Sequence, residues 1–230
     1  MSSSQDLLQR LSANPWFGSL PLRERKIMLA ASELVRLRPG EMLFRQGDPP
    51  GNLYAVATGT MKMSTLSADG KEAILVVLET GTWFGEISLI DDQPRTHDAT
   101  AMGEAEILVL PRQVFDTLMK SNVFAQAIAK MMAARIRLLY GIVEDATLRS
   151  TRARIARRLL LLARGDATMS TQLRPRLPVS QESLAMMLGI TRQTLSKELK
   201  LLVEQQAIHL GYAYIEVVSE SKLKTLSEYA

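Results

Sequence analysis

The chain has 230 residues, 47% of them apolar and none of them cysteine. That is enough apolar material for one or two cores, while the missing thiols exclude disulfides, thiolate metal sites and thiol catalysis. No apolar run is long enough to span a bilayer, and Met1 to Asp6 lacks the basic-then-apolar order of a secretory signal, so a cytoplasmic protein with no membrane partner is expected.

The net charge of +4 is unevenly placed: 13 Lys/Arg face 7 Asp/Glu from Leu148 onward, against 15 and 17 before it. A basic C-terminal portion suits a phosphate-backbone partner at one end. A merely solvated basic surface is the bland alternative. Along the chain, Asp6 to Ala31 reads as a helical lead-in, with Leu7, Leu8 and Leu11 on one side and a break at Asn14-Pro15. Pro21 suits the first turn of a second helix there.

From Val35 to Pro111 the period changes to that of strands. Val35 and Leu37 alternate with Arg36 and Arg38, Glu41 to Phe44 is short, and Gly47 to Gly51 is a turn cluster. Leu53 to Thr58 reads as a strand, Met61 and Met63 alternate with Lys62 and Ser64, and Ala68-Asp-Gly70 signals a hairpin before Ala73 to Leu78. Glu106 to Leu110 is the last strand pattern. Many short strands between Gly/Pro turns predict a small jelly-roll barrel. One segment breaks the pattern: Phe84-Gly85-Glu86-Ile87-Ser88-Leu89 reads as a glycine turn and a short helix, followed by Pro94, Arg95, Thr96 and His97. Such a turn aims backbone N–H groups into one pocket. Arg95 adds a cationic fork and Thr96 a hydroxyl, both suited to phosphate oxygens, and Glu86 can accept from a ribose hydroxyl. The competing reading is that Arg95 pairs with Glu86 or an Asp and only pins the loop.

After Pro111 the pattern is helical. Ala129, Met132, Ile136, Leu139, Val143 and Ala146 form a heptad seam on a helix from Val123 to Leu148, about 39 Å long. Pairing with its own copy is the expected use, and burial of the seam on its own barrel the alternative. Gly141 within it is a flex point or a close contact. Ser150 and Thr151 interrupt the pattern, an amphipathic helix runs from Arg154 to Ala163, and Gly165 to Leu177 reads as a polar loop.

Val179 to Gln205 reads as two short helices around a turn. Ser180 and Thr191 are N-caps, Val179/Leu184 and Ile190/Leu195 are hydrophobic staples, and Gly189 ends the first helix. Leu195, Leu199 and Leu202 make a buried stripe, leaving Arg192, Gln193, Ser196, Lys197 and Lys200 outside. This is a helix-turn-helix whose Arg and Gln can bond guanine and adenine edges in the major groove; a solvated helical hairpin is the bland alternative. Ile208 to Val218 alternates around Gly211 as a β-hairpin wing would. The tail after Ser219 shows no recognisable chemistry.

On the motifs Phe84 to Leu89, Pro94-Arg95-Thr96 and Gly189 to Lys197, and over essentially the whole chain, the sequence resembles the superfamily of the cyclic-AMP receptor protein and the fumarate-nitrate reduction regulator. The resemblance implies an α+β protein in three parts: a cyclic-nucleotide-binding-like jelly-roll barrel with its lead-in (1–111), a long dimerisation helix (112–148) and a winged helix-turn-helix (149–230). It implies a homodimeric transcription regulator that is not an enzyme, has no metal, and is controlled by a cyclic nucleotide or related effector. Its partners would be a palindromic double-stranded DNA operator and RNA polymerase. Carried over by position, Gly85 and Ser88 flank Ile87 and hold the phosphate or ribose edge through backbone groups, Glu86 takes the ribose hydroxyl, and Arg95 and Thr96 bind the phosphate. Arg192, Gln193 and Lys197 face base edges beside Ser196, with Thr191 and Thr194 on backbone phosphates. Gln193 stands where many relatives carry a glutamate. His97 follows Arg-Thr where cyclic-AMP binders have a small residue, and Leu139 and Tyr140 replace a hydroxyl pair, though Tyr140 can stack on or bond a base. The absence of cysteine excludes the iron–sulfur branch, and His97 and His209 alone argue against a haem branch. Two other readings stay open: an orphan regulator with a vestigial or differently tuned pocket, and a cyclic-nucleotide sensing module acting through protein contacts.

Overall fold

In a computed structural model of the chain, which describes residues 4–165, 174–212 and 214–228, the molecule divides into two compact units. The first comprises the chain up to Leu66 together with Leu75–Ala134; the second comprises Ser67–Ile74 and the chain from Arg135 onward.

The first unit opens with α1 (Ser4–Ser12), α2 (Pro15–Ser19) and α3 (Leu22–Ala31). The expected break at Asn14-Pro15 is itself a helix start. The Asn14 side chain caps α2 by accepting from Trp16 N (3.0 Å) and Phe17 N (3.2 Å), and Pro15 occupies a first-turn position where it forfeits no bond. These helices are more than a lead-in. Leu11, Phe17, Leu20 and Met28 are fully buried, and Phe17 stacks on Trp83 at 5.3 Å. Trp16 meets Trp83 and Phe124 edge-on or tilted and donates to the Ala127 carbonyl at 2.8 Å. The aromatic cluster supplies the inner layer of the core, as large rings with a satisfied indole N–H do best.

The strands are β1 (Glu33–Leu37), β2 (Met42–Phe44), β3 (Leu53–Thr58), β4 (Thr60–Leu66), β5 (Glu72–Glu79) and β6 (Trp83–Phe84). After α4 (Glu86–Asp91) come β7 (Asp98–Ala101) and β8 (Ala105–Leu110). They form two four-stranded sheets, β1-β8-β3-β6 and β2-β7-β4-β5, the double-sheet arrangement of a jelly roll. The alternation in β4 slips: Met61 is buried as expected, but Ser64 is buried too and Met63 only in part. Ser64 pairs in register with buried Asp98, whose carboxylate accepts from Gln46 N at 2.8 Å, so a polar pair holds that end of the sheet.

Helices α5 (Arg112–Met119) and α6 (Asn122–Leu148) follow. Along α6 the predicted seam faces outward: Ile136 is 49% exposed, Leu139 59% and Val143 62%. Nearer its start the seam is not exposed throughout, Met132 being half-buried against the core of the first unit.

In the second unit α7 (Thr151–Arg164) is capped by Ser150. Buried Asp145 joins three segments, accepting from Arg149 Nε at 2.6 Å and from Arg157 Nε at 2.7 Å, while Arg149 Nη1 donates to the Ser227 carbonyl. A Cβ on Gly141 would lie 3.6 Å from Arg157 Nη2, an ordinary van der Waals distance, so no close approach requires glycine there. Next come β9 (Arg176–Leu177), α8 (Gln181–Leu188), α9 (Arg192–Glu204), β10 (Ile208–Gly211), β11 (Tyr214–Val217) and α10 (Glu220–Leu226), with sheet order β10-β11-β9. One expectation is corrected, and one element is added where none was expected. The end of the presumed polar loop is strand β9, the rest of that loop lying mostly outside the described residues. The tail is a helix: Leu223 on α10 is fully buried in the core of α7, α8 and α9, and Glu220 pairs with Arg164 at 2.7 Å.

Candidate functional site

The exposed face of α9 is built by the burial of its opposite side. Leu195, Leu199 and Leu202 are fully buried among Leu184, Ile208 and Ile215, and with a 3.6-residue period this turns Arg192, Gln193, Lys197 and Lys200 to solvent. Both helix starts form as the sequence predicts: Ser180 Oγ accepts from Ser183 N at 3.0 Å and Thr191 Oγ1 from Thr194 N at 3.1 Å. Gly189 closes α8 in the left-handed conformation, φ +64°. Each cap contributes roughly 1 kcal/mol and sets where its helix begins. Thr191 and Thr194 hydroxyls lie 2.9 Å apart, Ser196 is partly exposed, and Glu198 on the flank is drawn to Arg152 of α7 at 2.8 Å. The first turn of α9 thus carries a cation and an amide and no acidic residue.

The other site lies in the first unit. Gly85 sits at φ +93°, and an added Cβ would come within 3.0 Å of Arg95 Nη1 and of the Tyr54 ring, so both backbone and space require glycine. Arg95 is 4% exposed. Its Nη1 donates to the Gly85 carbonyl at 2.8 Å and its Nη2 to the Asn52 carbonyl at 2.9 Å, and the guanidinium lies over Phe44 at 4.6 Å and Tyr54 at 5.4 Å. No described carboxylate is in ion-pair range, so direct pairing with Glu86 or an Asp does not occur. Burial lowers the Arg95 pKa against the opposing pull of Tyr54, Glu86 and Asp48. Glu86 is buried at 1% exposure, Ile87 is partly exposed, and Ser88 Oγ donates to the Pro94 carbonyl at 3.4 Å. Thr96 Oγ1 bonds His97 Nδ1 at 2.8 Å. Asn52 also accepts, through Oδ1, from Arg112 N at 3.3 Å, and Arg112 pairs with Asp92 at the end of α4.

Residues 34–122 match the family model of the cyclic nucleotide-binding domain and residues 153–226 that of the Crp-like helix-turn-helix domain. The chain is similar to the cyclic AMP receptor protein of Thermus thermophilus, 28% identical over 218 residues that span 94% of this chain and 98% of that one. The chain belongs to the CRP/FNR family of transcription regulators. Among solved structures it resembles TTHB099, a CRP-family regulator from Thermus thermophilus, with 25% identity, a TM-score of 0.67 and coverage of 84% of this chain and 96% of that one. FixK2 from Bradyrhizobium japonicum has the same fold at a TM-score of 0.76 and 20% identity, over 86% of this chain and 98% of that one.

As a CRP/FNR regulator the protein is a DNA-binding transcription regulator and not an enzyme. The cassette residues Gly85, Glu86, Ile87, Ser88, Arg95 and Thr96 lie in the first unit, whereas Tyr140 stands on α6 in the second, 72% exposed. Sequence reasoning missed Asn52, Phe44 and Tyr54, which hold Arg95; nothing in their spacing pointed to it. Among the described residues no group of His, Cys, Asp and Glu could hold a metal, and no helix is long and apolar enough to cross a membrane.

His97 supplies a pH dependence. Burial pushes its pKa below the ordinary 6.5, with Asp98 opposing. The unfolded chain then binds the proton more readily, so the contribution is fully present above the unfolded value of about 6.5 and is lost as pH falls from there through the lower folded pKa. Urea unfolding at about pH 8 and pH 5 should show a smaller difference in His97→Gln than in the parent. Equal differences in both would rule this out.

Proposed function

We propose that this regulator is a cytoplasmic homodimer that reads a palindromic operator with two copies of α9 and answers to a small effector in the β-domain. The parts are an effector domain at 1–111, a dimerisation segment at 112–148, expected as one helix but made of α5 and the long α6, and a DNA-binding domain at 149–230. The observation that carries the reading is the division of α9 into a buried leucine stripe and an outer face holding Arg192, Gln193 and Lys197. On that face Arg192, Gln193 and Lys197 address base edges, Ser196 lies beside them, and Thr191 and Thr194 meet phosphates. A dimer of this motif meets half-sites one turn, about 34 Å, apart; that spacing is known from relatives.

The effector is a cyclic nucleotide or a related phosphate ester, the class named for the Thermus thermophilus relative. Arg95 and Thr96 would take its phosphate, Gly85, Ile87 and Ser88 line its edge, Glu86 would accept from a ribose hydroxyl, and Tyr140 offers a ring to a base. Binding must favour one arrangement of the dimer by a differential affinity, typically ~1–3 kcal/mol, and RNA polymerase is the partner that reads the result. One observation favours a differently tuned pocket: Thr96 and Arg95 are already engaged by His97 and by backbone carbonyls.

Selection of binding sites from random duplexes tests the DNA face. Arg192→Ala should cost ~1–3 kcal/mol and relax one base position in each half-site. Gln193→Glu should shift one position toward cytosine, whose exocyclic amine donates to a carboxylate. An unchanged selected sequence and affinity in both variants would remove α9 as the reading element.

A further inference from the structure

We propose that Arg176, held flat on Tyr214, is a second DNA contact, binding a backbone phosphate beside the groove that α9 enters. The proposal rests on the DNA-binding reading above. In the second unit most arginines are engaged internally: Arg149 and Arg157 by Asp145, Arg152 by Glu198, Arg154 by the Leu188 carbonyl, and Arg164 by Glu220. Arg137, Arg176 and Arg192 make no hydrogen bond or ion pair with any described residue. Arg176 alone of these three is fixed in place, its guanidinium carbon 3.7 Å from the centre of the Tyr214 ring. Stacking on an aromatic face holds the planar fork while leaving its five N–H donors at the edge.

The platform is built into the wing. Leu177, Ile208, Ile215 and Val217 face the core, so the alternate residues Arg176, His209, Tyr214 and Glu216 share the outer face of the three-stranded sheet. Gly211 stands opposite Tyr214 in register, and a Cβ there would come within 2.0 Å of the ring. The ring therefore lies across the glycine and presents its other side to Arg176. Glu216, opposite Arg176 in the sheet, is within 4.0 Å of His209 and makes no ion pair with the arginine. A rigid cation with free donors and no protein anion is suited to an anion from outside.

Its place in the fold makes that anion a DNA phosphate. Gln206, at φ +55°, reverses the chain at the end of α9, and β10 returns alongside that helix, Ile208 sharing a core with Leu199 and Leu202. The hairpin of β10 and β11 thus shares its core with α9, the helix that carries Arg192. Arg176 also precedes by four residues Ser180, the cap of α8, the helix that crosses the backbone in this motif.

Salt titrations of binding to a duplex of about 30 base pairs, long enough for two half-sites, test the proposal, using a selected site and a scrambled one. Arg176→Ala should weaken both duplexes by the same factor and reduce the slope of log K against log salt by about 0.9 per protomer. Arg176→Lys and Tyr214→Phe should keep most of that slope, whereas Gly211→Ala, which displaces the ring, should lose it in part. An unchanged slope in Arg176→Ala, or a loss confined to one base position of the selected site, overturns the proposal and leaves α9 standing. A parent protein that binds neither duplex overturns the DNA-binding reading as well.

Discussion

Leu139→Glu is expected to convert the protein into a monomer and weaken operator binding by roughly two to four orders of magnitude, the share that bivalence contributes. Ile136, Leu139 and Val143 project from α6 at heptad spacing and stay about half exposed or more in the single chain. An apolar stripe of that kind on a 27-residue helix is stable in water only as long as something covers it. In the proposed dimer a second α6 would supply the complementary row. Burying one leucine contributes ~1.5–3 kcal/mol, and in a twofold pair the substitution removes two and sets two carboxylates against each other. Because Leu139 is exposed in the monomer, its replacement should leave the protomer's own unfolding within ~0.5 kcal/mol. Sedimentation equilibrium measures the association, fluorescence anisotropy the binding, and thermal melting the fold. A Leu139→Glu protein that remains a dimer at micromolar concentration would remove α6 as the dimer interface.

What could be read from the residues alone was what depends on near neighbours. The caps at Ser180 and Thr191, the left-handed Gly189 and the leucine stripe of α9 all lie within four residues of their partners, and each formed where its spacing put it. The seam on α6 was legible for the same reason. Strands β6 and β7 were missed because Trp83–Phe84 is two residues long and Asp98–Ala101 is buried on both faces, leaving no alternation to detect. The Arg95 cage was out of reach altogether. Its carbonyl partner Asn52 lies 43 positions away, and Phe44 and Tyr54 reach it from two different strands. The final helix was overlooked because only Leu223 and Leu226 anchor it, and two apolar positions in seven residues are too few to mark a period.

Arg95→Ala separates the two roles open to that side chain. Its guanidinium lies almost wholly out of water, bonded to two carbonyls and resting on two rings, with Glu86 and Asp48 acting on it only from farther off. A desolvated cation without a directly paired anion is costly, and two of its five N–H donors account for the bonds to Gly85 and Asn52. The remaining donors, on a cation that Tyr54, Glu86 and Asp48 only partly offset, suit a phosphate. If a phosphate completes the site, removing the arginine should weaken binding of cyclic AMP, cyclic GMP or cyclic di-GMP, whichever shifts the parent's melting temperature, by ~3–5 kcal/mol, or roughly two to three and a half orders of magnitude. Arg95→Lys keeps the charge but not the planar fork, and should fall between the two. If Arg95 only joins the Asn52 loop to the Gly85 turn, Arg95→Ala lowers the melting temperature, while calorimetry finds the same nucleotide affinity as in the parent. The two outcomes differ in the ligand measurement and not in stability, because both roles use the same two carbonyl bonds. Nucleotide binding that survives the loss of Arg95 would place the phosphate elsewhere in the domain and reduce the cassette to a structural turn.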